Sequence, residues 1–166
     1  MITQQQINER AAEIGKQIKE DLNGEPVVLV GILRGAVLWM ADIMKNTDLE
    51  MTIDFMAVSS YGSAKKTSGV VKINKDLDTD IEGKNVIIVE DIVDSGYTLN
   101  YLKGYFESRA AKTVKICTLL DKPEGRKVHI DVDYIGFTVD DRFIIGYGLD
   151  YDQKYRNLPY ISFLED

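Results

Sequence analysis

The sequence predicts an α/β fold: a mostly parallel twisted sheet flanked by helices, formed by a single domain over residues 1–166. Three observations predict it. Apolar runs at 27–32 and 86–89 lack alternation, so they read as strands buried on both faces, the habit of parallel sheets, and 113–120 reads as a further strand. Segments with helical apolar spacing precede or separate these runs. The first two runs stop abruptly in glycine or carboxylate residues, at the strand ends where open α/β sheets bind ligands.

Length and composition agree with one domain and a sizeable core. The chain has 166 residues, 45% hydrophobic and 28% charged, with no low-complexity segment. A formal net charge of −7 leaves no broad basic footprint, so nucleic acid is not an expected partner. Small phosphorylated ligands remain compatible, because backbone N–H groups, a few cations and bound magnesium can hold phosphate on an acidic protein. Cys117 is the single cysteine, which excludes an intramolecular disulfide and gives no metal-site spacing. The first residues are polar and amphipathic rather than secretory, and no run is long enough to span a bilayer. A cytoplasmic location and no membrane partner are the default expectations.

In order, residues 3–22 read as a helix. Thr3 and Gln6 have capping-box spacing, and Ile7, Ala11, Ile14, Ile18 and Leu22 recur along one face that should cover the sheet. Asn23–Gly24 ends it. The strand at 27–32 leads through Gly31, Arg34 and Gly35 into a helix at 36–44. Two glycines around an arginine suit close backbone approach to a ligand, and equally suit a plain connection with a solvated arginine. Residues 53–58 form the next strand, followed by a polar, glycine-bearing stretch at 59–69 with the composition of a mobile loop and a short returning strand at 70–73. Residues 75–83 read as a polar turn region.

The chain is organised around residues 86–100. An apolar strand at 86–89 meets Glu90 and Asp91, and Asp94, Ser95, Gly96, Tyr97 and Thr98 follow before a helix near 99–108. Two carboxylates at a buried strand's end should face a crevice, since unpaired burial is costly. The turn offers backbone N–H groups, hydroxyls and a flexible glycine ahead of a helix N-terminus, the makings of a phosphate cradle. Asp94 suits a helix N-cap. A strand at 113–120 ends in Asp121, Lys122 and Pro123, and another lies at 132–137. Asp140–Asp141 marks a turn, 143–145 is short and apolar, and the tail from Gly146 is rich in Gly, Tyr and Asp, its tyrosines read as packing residues with a wet hydroxyl. His129 has no partner spacing for a ligand or base, Cys117 reads as a small core residue, and Trp39 as a helix anchor or subunit contact.

The run Ile88-Val89-Glu90-Asp91-Ile92-Val93-Asp94-Ser95-Gly96-Tyr97-Thr98 resembles the phosphoribosyl-pyrophosphate (PRPP) signature of the purine phosphoribosyltransferases. Leu33-Arg34-Gly35, the stretch from Asp54 to Gly62, Lys75 to Ile81, Leu120 to Pro123 and Val139 to Pro159 extend the resemblance over nearly the full length, to the bacterial hypoxanthine(-guanine) branch of that family. The resemblance implies the type I phosphoribosyltransferase fold, with a small hood from the chain ends and a mobile lid loop containing Ser60 and Tyr61. It implies transfer of phosphoribose from PRPP to N9 of an oxopurine (hypoxanthine, and guanine), with release of pyrophosphate and with Mg²⁺ as cofactor.

Residue by residue, the resemblance implies that Glu90 and Asp91 lie by the ribose hydroxyls and, with Asp150, near the metal. Asp94 handles the purine N7 proton. The turn Asp94, Ser95, Gly96, Tyr97 and Thr98 cradles the 5′-phosphate. Leu33, Arg34, Gly35 and Arg156 meet pyrophosphate, many members carrying lysine where this chain has Arg34. In the family the first of these loops often holds a non-proline cis peptide, which would fall between Leu33 and Arg34. Lys122 approaches O6 of the base, Phe143 stacks on it, and Ile144 contacts its exocyclic edge. A homodimer or homotetramer is implied as well. The alternative carried beside this is a PRPP-fold regulatory binding protein without transferase activity. The dinucleotide glycine fingerprint and the Walker A pattern are both missing from the sequence.

Overall fold

A computed structural model describes residues 1–60 and 70–164 of the chain, without the side chain of Ser60. Its centre is a six-stranded sheet in the order β3-β2-β1-β4-β5-β6. The strands are β1 (Val27–Leu33), β2 (Met51–Ser60), β3 (Val71–Lys75), β4 (Asn85–Val93), β5 (Thr113–Asp121) and β6 (Tyr134–Thr138). Every neighbouring pair is parallel except β2 with β3. The mostly parallel α/β architecture read from the sequence is therefore present.

The continuous apolar runs are explained by what lies on each face. Val27 and Leu29 of β1, with Ile87 and Val89 of β4, pack on helices α1 (Gln4–Asp21) and α2 (Val37–Asn46). Val28, Val30 and Ile32, with Val86 and Ile88, pack on Leu99, Leu102 and Phe106 of α3 (Tyr97–Ser108). Successive side chains point to opposite faces, so a strand covered on both sides must be apolar at every position.

α1 starts at the capping box read from the sequence: Thr3 Oγ1 accepts from the Gln6 N–H at 3.2 Å, and Gln6 Oε1 accepts from the Thr3 N–H at 2.9 Å. Its Arg10 donates to the carbonyls of Ile135 (2.7 Å) and Gly136 (3.2 Å), covering the open edge that β6 would otherwise present. Trp39 is fully buried in the core with α2, as a helix anchor, and Cys117 is buried as well, its thiol pushed up to about 12 by burial.

The two chain ends meet. Ile2 and Ile161 exchange backbone hydrogen bonds of 2.9 Å each, and β7 (Ile144–Ile145) pairs antiparallel with β8 (Ser162–Phe163). This second, two-stranded sheet is the hood expected over the end of the main sheet.

Several boundaries differ from the sequence reading. β4 does not stop before Glu90 but runs through both carboxylates to Val93, because β5 continues to pair with it as far as Val93↔Asp121. α3 begins at Tyr97, two residues earlier than read. β2 extends to Ser60, past the strand end read at Val58, and Tyr61 lies outside the described residues.

Candidate active site

In this strand order the chain leaves β1 toward β2 through α2 on one face, and leaves β4 toward β5 through α3 on the other. β1 and β4 are neighbours, so their carboxyl ends flank the crevice where the sheet's winding reverses. Most candidate residues come from these two ends.

β1 delivers Leu33, Arg34 and Gly35, and the Leu33–Arg34 peptide is cis. Gly35 lies against β4 so closely that a Cβ there would stand 1.7 Å from Asp91 Oδ2. Glycine at this position lets the loop backbone press onto the carboxylate.

β4 delivers Glu90, which is 8% exposed, and the half-buried Asp91. Glu90 Oε1 accepts from the Asp91 N–H at 3.0 Å, and Asp91 Oδ1 from the Ile92 N–H at 2.7 Å. Burial, and then the neighbouring carboxylate, push Glu90 well above the usual range. Burial raises Asp91 too, against hydrogen bonds from Glu90 and the Ile92 N–H and against the charge of Arg156. The pair is negative charge in want of a cation or hydroxyl donors.

Beyond β4 the chain turns at Asp94–Ser95–Gly96. The N-cap of α3 is Gly96, held at φ +87° with no side-chain cap, so the N-cap reading of Asp94 is incorrect. The Asp94 carboxylate is 54% exposed at the crevice. Ser95 Oγ accepts from the Tyr97 N–H at 3.4 Å. Asp94, Ser95, Gly96 and Thr98 line a hollow of about 130 Å³ with Glu90 and Asp91; the Tyr97 side chain stays out of it. The open N–H groups at the start of α3 face anionic ligands favourably.

The segment after β5 is strapped over this turn. The Lys122 N–H donates to the Val93 carbonyl at 2.9 Å, Arg126 Nη1 to the Asp94 carbonyl at 3.0 Å, and the N–H groups of Lys127 and Val128 to the Ser95 carbonyl at 2.9 and 3.2 Å. Arg126 also forms an ion pair with Asp121, the last residue of β5. Lys122 is held with its side chain 12% exposed, Nζ lying 3.0 Å from Asp141 Oδ1 and 3.9 Å from Asp94 Oδ2. A carboxylate acceptor and an ammonium donor thus stand side by side.

A cavity of about 250 Å³ opens next to them, lined by Asp91, Lys122, Phe143, Ile144 and Asp150 among others. Phe143 is 52% exposed, with Tyr151 edge-on at 5.5 Å, which leaves an aromatic surface open to a flat ligand. Ile144 is buried in β7.

Arg34 and Arg156 meet at the mouth. Both donate to Oε1 of Gln153, at 3.0 and 3.2 Å, and Arg156 also reaches the Gly148 carbonyl (2.6 Å) and Asp150 (3.2 Å).

Among the described residues no three metal-ligating side chains converge. Glu90, Asp91 and Asp150 nonetheless offer the hard oxygen donors that magnesium takes, an ion that keeps most of its ligands as water and substrate oxygens.

Sequence reading missed Gln153, Gly125, Arg126 and Asp141 as site residues. No periodicity marks the strap, and Asp141 read only as part of a turn. His129 is exposed, with Nε2 3.0 Å from Asp131 Oδ1. The tail tyrosines divide: Tyr151, Tyr155 and Tyr160 are exposed, whereas Tyr147 is buried with its hydroxyl donating to Asp42 rather than wet. A separate cavity of about 430 Å³ at the amino-terminal end of the strands is lined by Glu25, Lys112 and Asn85 among others, which satisfy one another at 2.8 Å.

A mostly parallel sheet thus carries an acidic pair, an open helix N-terminus and two arginines around one crevice. Residues 1–152 match the family described as "Phosphoribosyl transferase domain", and the chain belongs to that family. It is 48% identical to the hypoxanthine-guanine phosphoribosyltransferase of Bacillus subtilis over 165 residues, covering 99% of this chain and 92% of the relative. The enzyme of the same name from Streptococcus thermophilus is 50% identical over 166 residues, 100% of this chain and 92% of the relative. A crystal structure of the Bacillus anthracis hypoxanthine-guanine phosphoribosyltransferase, with HEPES in its active site, superposes with a TM-score of 0.96 at 47% identity, covering 99% of this chain and 97% of the other. The fold is therefore the type I phosphoribosyltransferase fold. Nothing in these likenesses favours the regulatory alternative.

Proposed function

We propose that this protein transfers the 5-phosphoribosyl group of PRPP to N9 of hypoxanthine or guanine, giving IMP or GMP and pyrophosphate in purine salvage. The observation that carries this reading is the 3.9 Å approach of Lys122 Nζ to Asp94 Oδ2 beside the open face of Phe143. An oxopurine presents N7–H next to O6 on one edge. The Asp94 carboxylate accepts from N7–H while the Lys122 ammonium donates to O6. Adenine would turn an amino donor toward the ammonium, and the contact is lost.

In the reaction, the C1′–O bond to pyrophosphate breaks with its electron pair leaving on pyrophosphate, and the N9 lone pair forms the new bond to C1′. The N7 proton passes to Asp94. Glu90 and Asp91 accept hydrogen bonds from the ribose hydroxyls and stabilise the positive charge that develops at the sugar. Residues Asp94 to Thr98 hold the 5′-phosphate through backbone N–H groups and hydroxyls. Leu33, Arg34, Gly35 and Arg156 hold the pyrophosphate, arginine providing a planar fork where the family often has a lysine point charge. Glu90, Asp91 and Asp150 would hold magnesium, directly or through water, and the ion would offset the charge of the pyrophosphate. Ser60 and Tyr61 belong to the segment that closes over the centre and excludes water from C1′.

No helix among the described residues is long and apolar enough to cross a membrane, and we place the enzyme in the cytoplasm as a homodimer or homotetramer. The test is a product assay with PRPP, magnesium and each of adenine, hypoxanthine, guanine, xanthine, uracil and cytosine. IMP or GMP is the expected product. No nucleotide from any oxopurine overturns the reading.

A further inference from the structure

Two guanidinium groups that repel each other share a single neutral acceptor. Arg34 Nη1 and Arg156 Nη2 lie 3.0 and 3.2 Å from the same atom, Gln153 Oε1. Both arginines are donors only, so chemistry requires the amide oxygen, not its nitrogen, to face them. Gln153 is fixed in its turn: its φ is +63°, and its N–H donates to Asp150 Oδ2 at 2.8 Å. Asp150 lies 3.2 Å from Arg156, which leaves Arg34 with Gln153 as its one hydrogen-bond acceptor among the described residues.

We propose that Gln153 is a positioning residue for the pyrophosphate end of the substrate. Its side-chain oxygen gathers Arg34 and Arg156 into one anion-binding pair before ligand arrives. Arg34 is exposed and stems from a different loop from Arg156, so without the shared acceptor its long side chain samples many rotamers. Ordering it then costs free energy at the moment of binding. The neutrality of the acceptor is as important as its place. A guanidinium donating to a neutral amide oxygen has ionic character on one side only, whereas a phosphate oxygen adds the opposite charge, so pyrophosphate displaces the amide readily. A carboxylate at the same position would hold the arginines by charge and compete with the ligand.

This inference rests on the proposed placing of pyrophosphate between Arg34 and Arg156. Its test is calorimetric titration of magnesium pyrophosphate into the unsubstituted protein, Gln153→Glu and Gln153→Ala, together with steady-state kinetics. Gln153 is exposed, and unchanged melting temperatures check that both variants fold. In Gln153→Glu the dissociation constant for magnesium pyrophosphate and the KM for PRPP should rise about fivefold or more. The KM for hypoxanthine and the kcat at saturating PRPP should stay within about twofold. In Gln153→Ala the rise should be smaller, and Arg34→Ala added to Gln153→Glu should cost less than the two changes summed. Unchanged pyrophosphate binding in Gln153→Glu, or an equal change in KM for the base, overturns the proposal while leaving the transferase reading intact. Failure of the transferase reading would show instead in the unsubstituted protein, as absence of nucleotide product.

Discussion

A side chain at Gly125 would stand 1.7 Å from Oδ1 of Asp94. The base-facing loop after β5 and the turn after β4 are thus in direct register: the backbone of one supports the carboxylate of the other. Gly125→Ala should keep the fold, since the residue sits in a short surface turn, but must displace the Asp94 carboxylate or the loop that carries Lys122. We expect kcat/KM for hypoxanthine to fall about tenfold or more with little change in melting temperature. Steady-state kinetics beside a thermal melt check this.

Removing the proton acceptor itself tests its role. Asp94→Asn leaves a side chain of the same shape that cannot take the N7 proton. Positioned acid–base groups contribute about 10²–10⁴ in rate. Single-turnover chemistry should slow by about a hundredfold or more, with the circular dichroism spectrum retained. An unchanged single-turnover rate would remove Asp94 from the chemistry.

Lys122 tests base choice. Its Nζ is held by Asp141 at 3.0 Å and buried among the groups of the cavity. Lys122→Gln replaces a donor-only ammonium with an amide that can also accept. Discrimination between hypoxanthine and adenine, measured as a ratio of kcat/KM values, should shrink. Preference unaltered by the change would move specificity to another residue.

The acidic pair makes a pH prediction. In the unliganded protein both Glu90 and Asp91 titrate above their usual values, Asp91 through burial and Glu90, the more so, through burial and then the charge of Asp91. A carboxyl group with a raised folded pKa favours folding most below its unfolded pKa, and that contribution is lost as pH rises through the folded pKa. At neutral pH the pair therefore opposes folding. Glu90→Gln should raise the melting temperature of the unliganded protein at pH 7, with the gain vanishing near pH 4. The same change should weaken PRPP binding in the presence of magnesium. Thermal melts across pH with and without magnesium and PRPP separate the two effects. A variant no more stable than the unsubstituted protein at pH 7 would contradict the assigned burial cost.

Arg126 supplies a further check on the strap. It donates to the Asp94 carbonyl and pairs with Asp121 in a half-buried setting. Arg126→Met leaves Asp121 without its partner, and removing one member of such a pair is costly. We expect a clear loss of stability and a rise in KM for the base. Arg126→Lys should recover part of the first and less of the second, because lysine cannot reach both acceptors as a fork.

What the sequence determined by itself is the layered architecture and the centre of the site. The apolar runs of β1 and β4 need no tertiary information to be read as doubly covered strands, since only burial on both faces demands apolar residues in succession. The capping box at Thr3 and Gln6 is local and was equally legible. The acidic pair and the turn from Asp94 to Thr98 are contiguous, so their shared chemistry is written in one stretch. The exact end of β4 was not: Glu90 and Asp91 look like strand breakers, and only pairing with β5 holds them in the ladder. Nor were Gln153, Gly125 and Arg126, whose importance comes from partners far away in the chain. Gln153 is bonded to Arg34 across a separation of 119 residues, and Arg126 to Asp94 across 32. Local pattern can mark a strand, a cap or a turn, but which donor meets which acceptor across the crevice is decided by strand order and the docking of the chain ends.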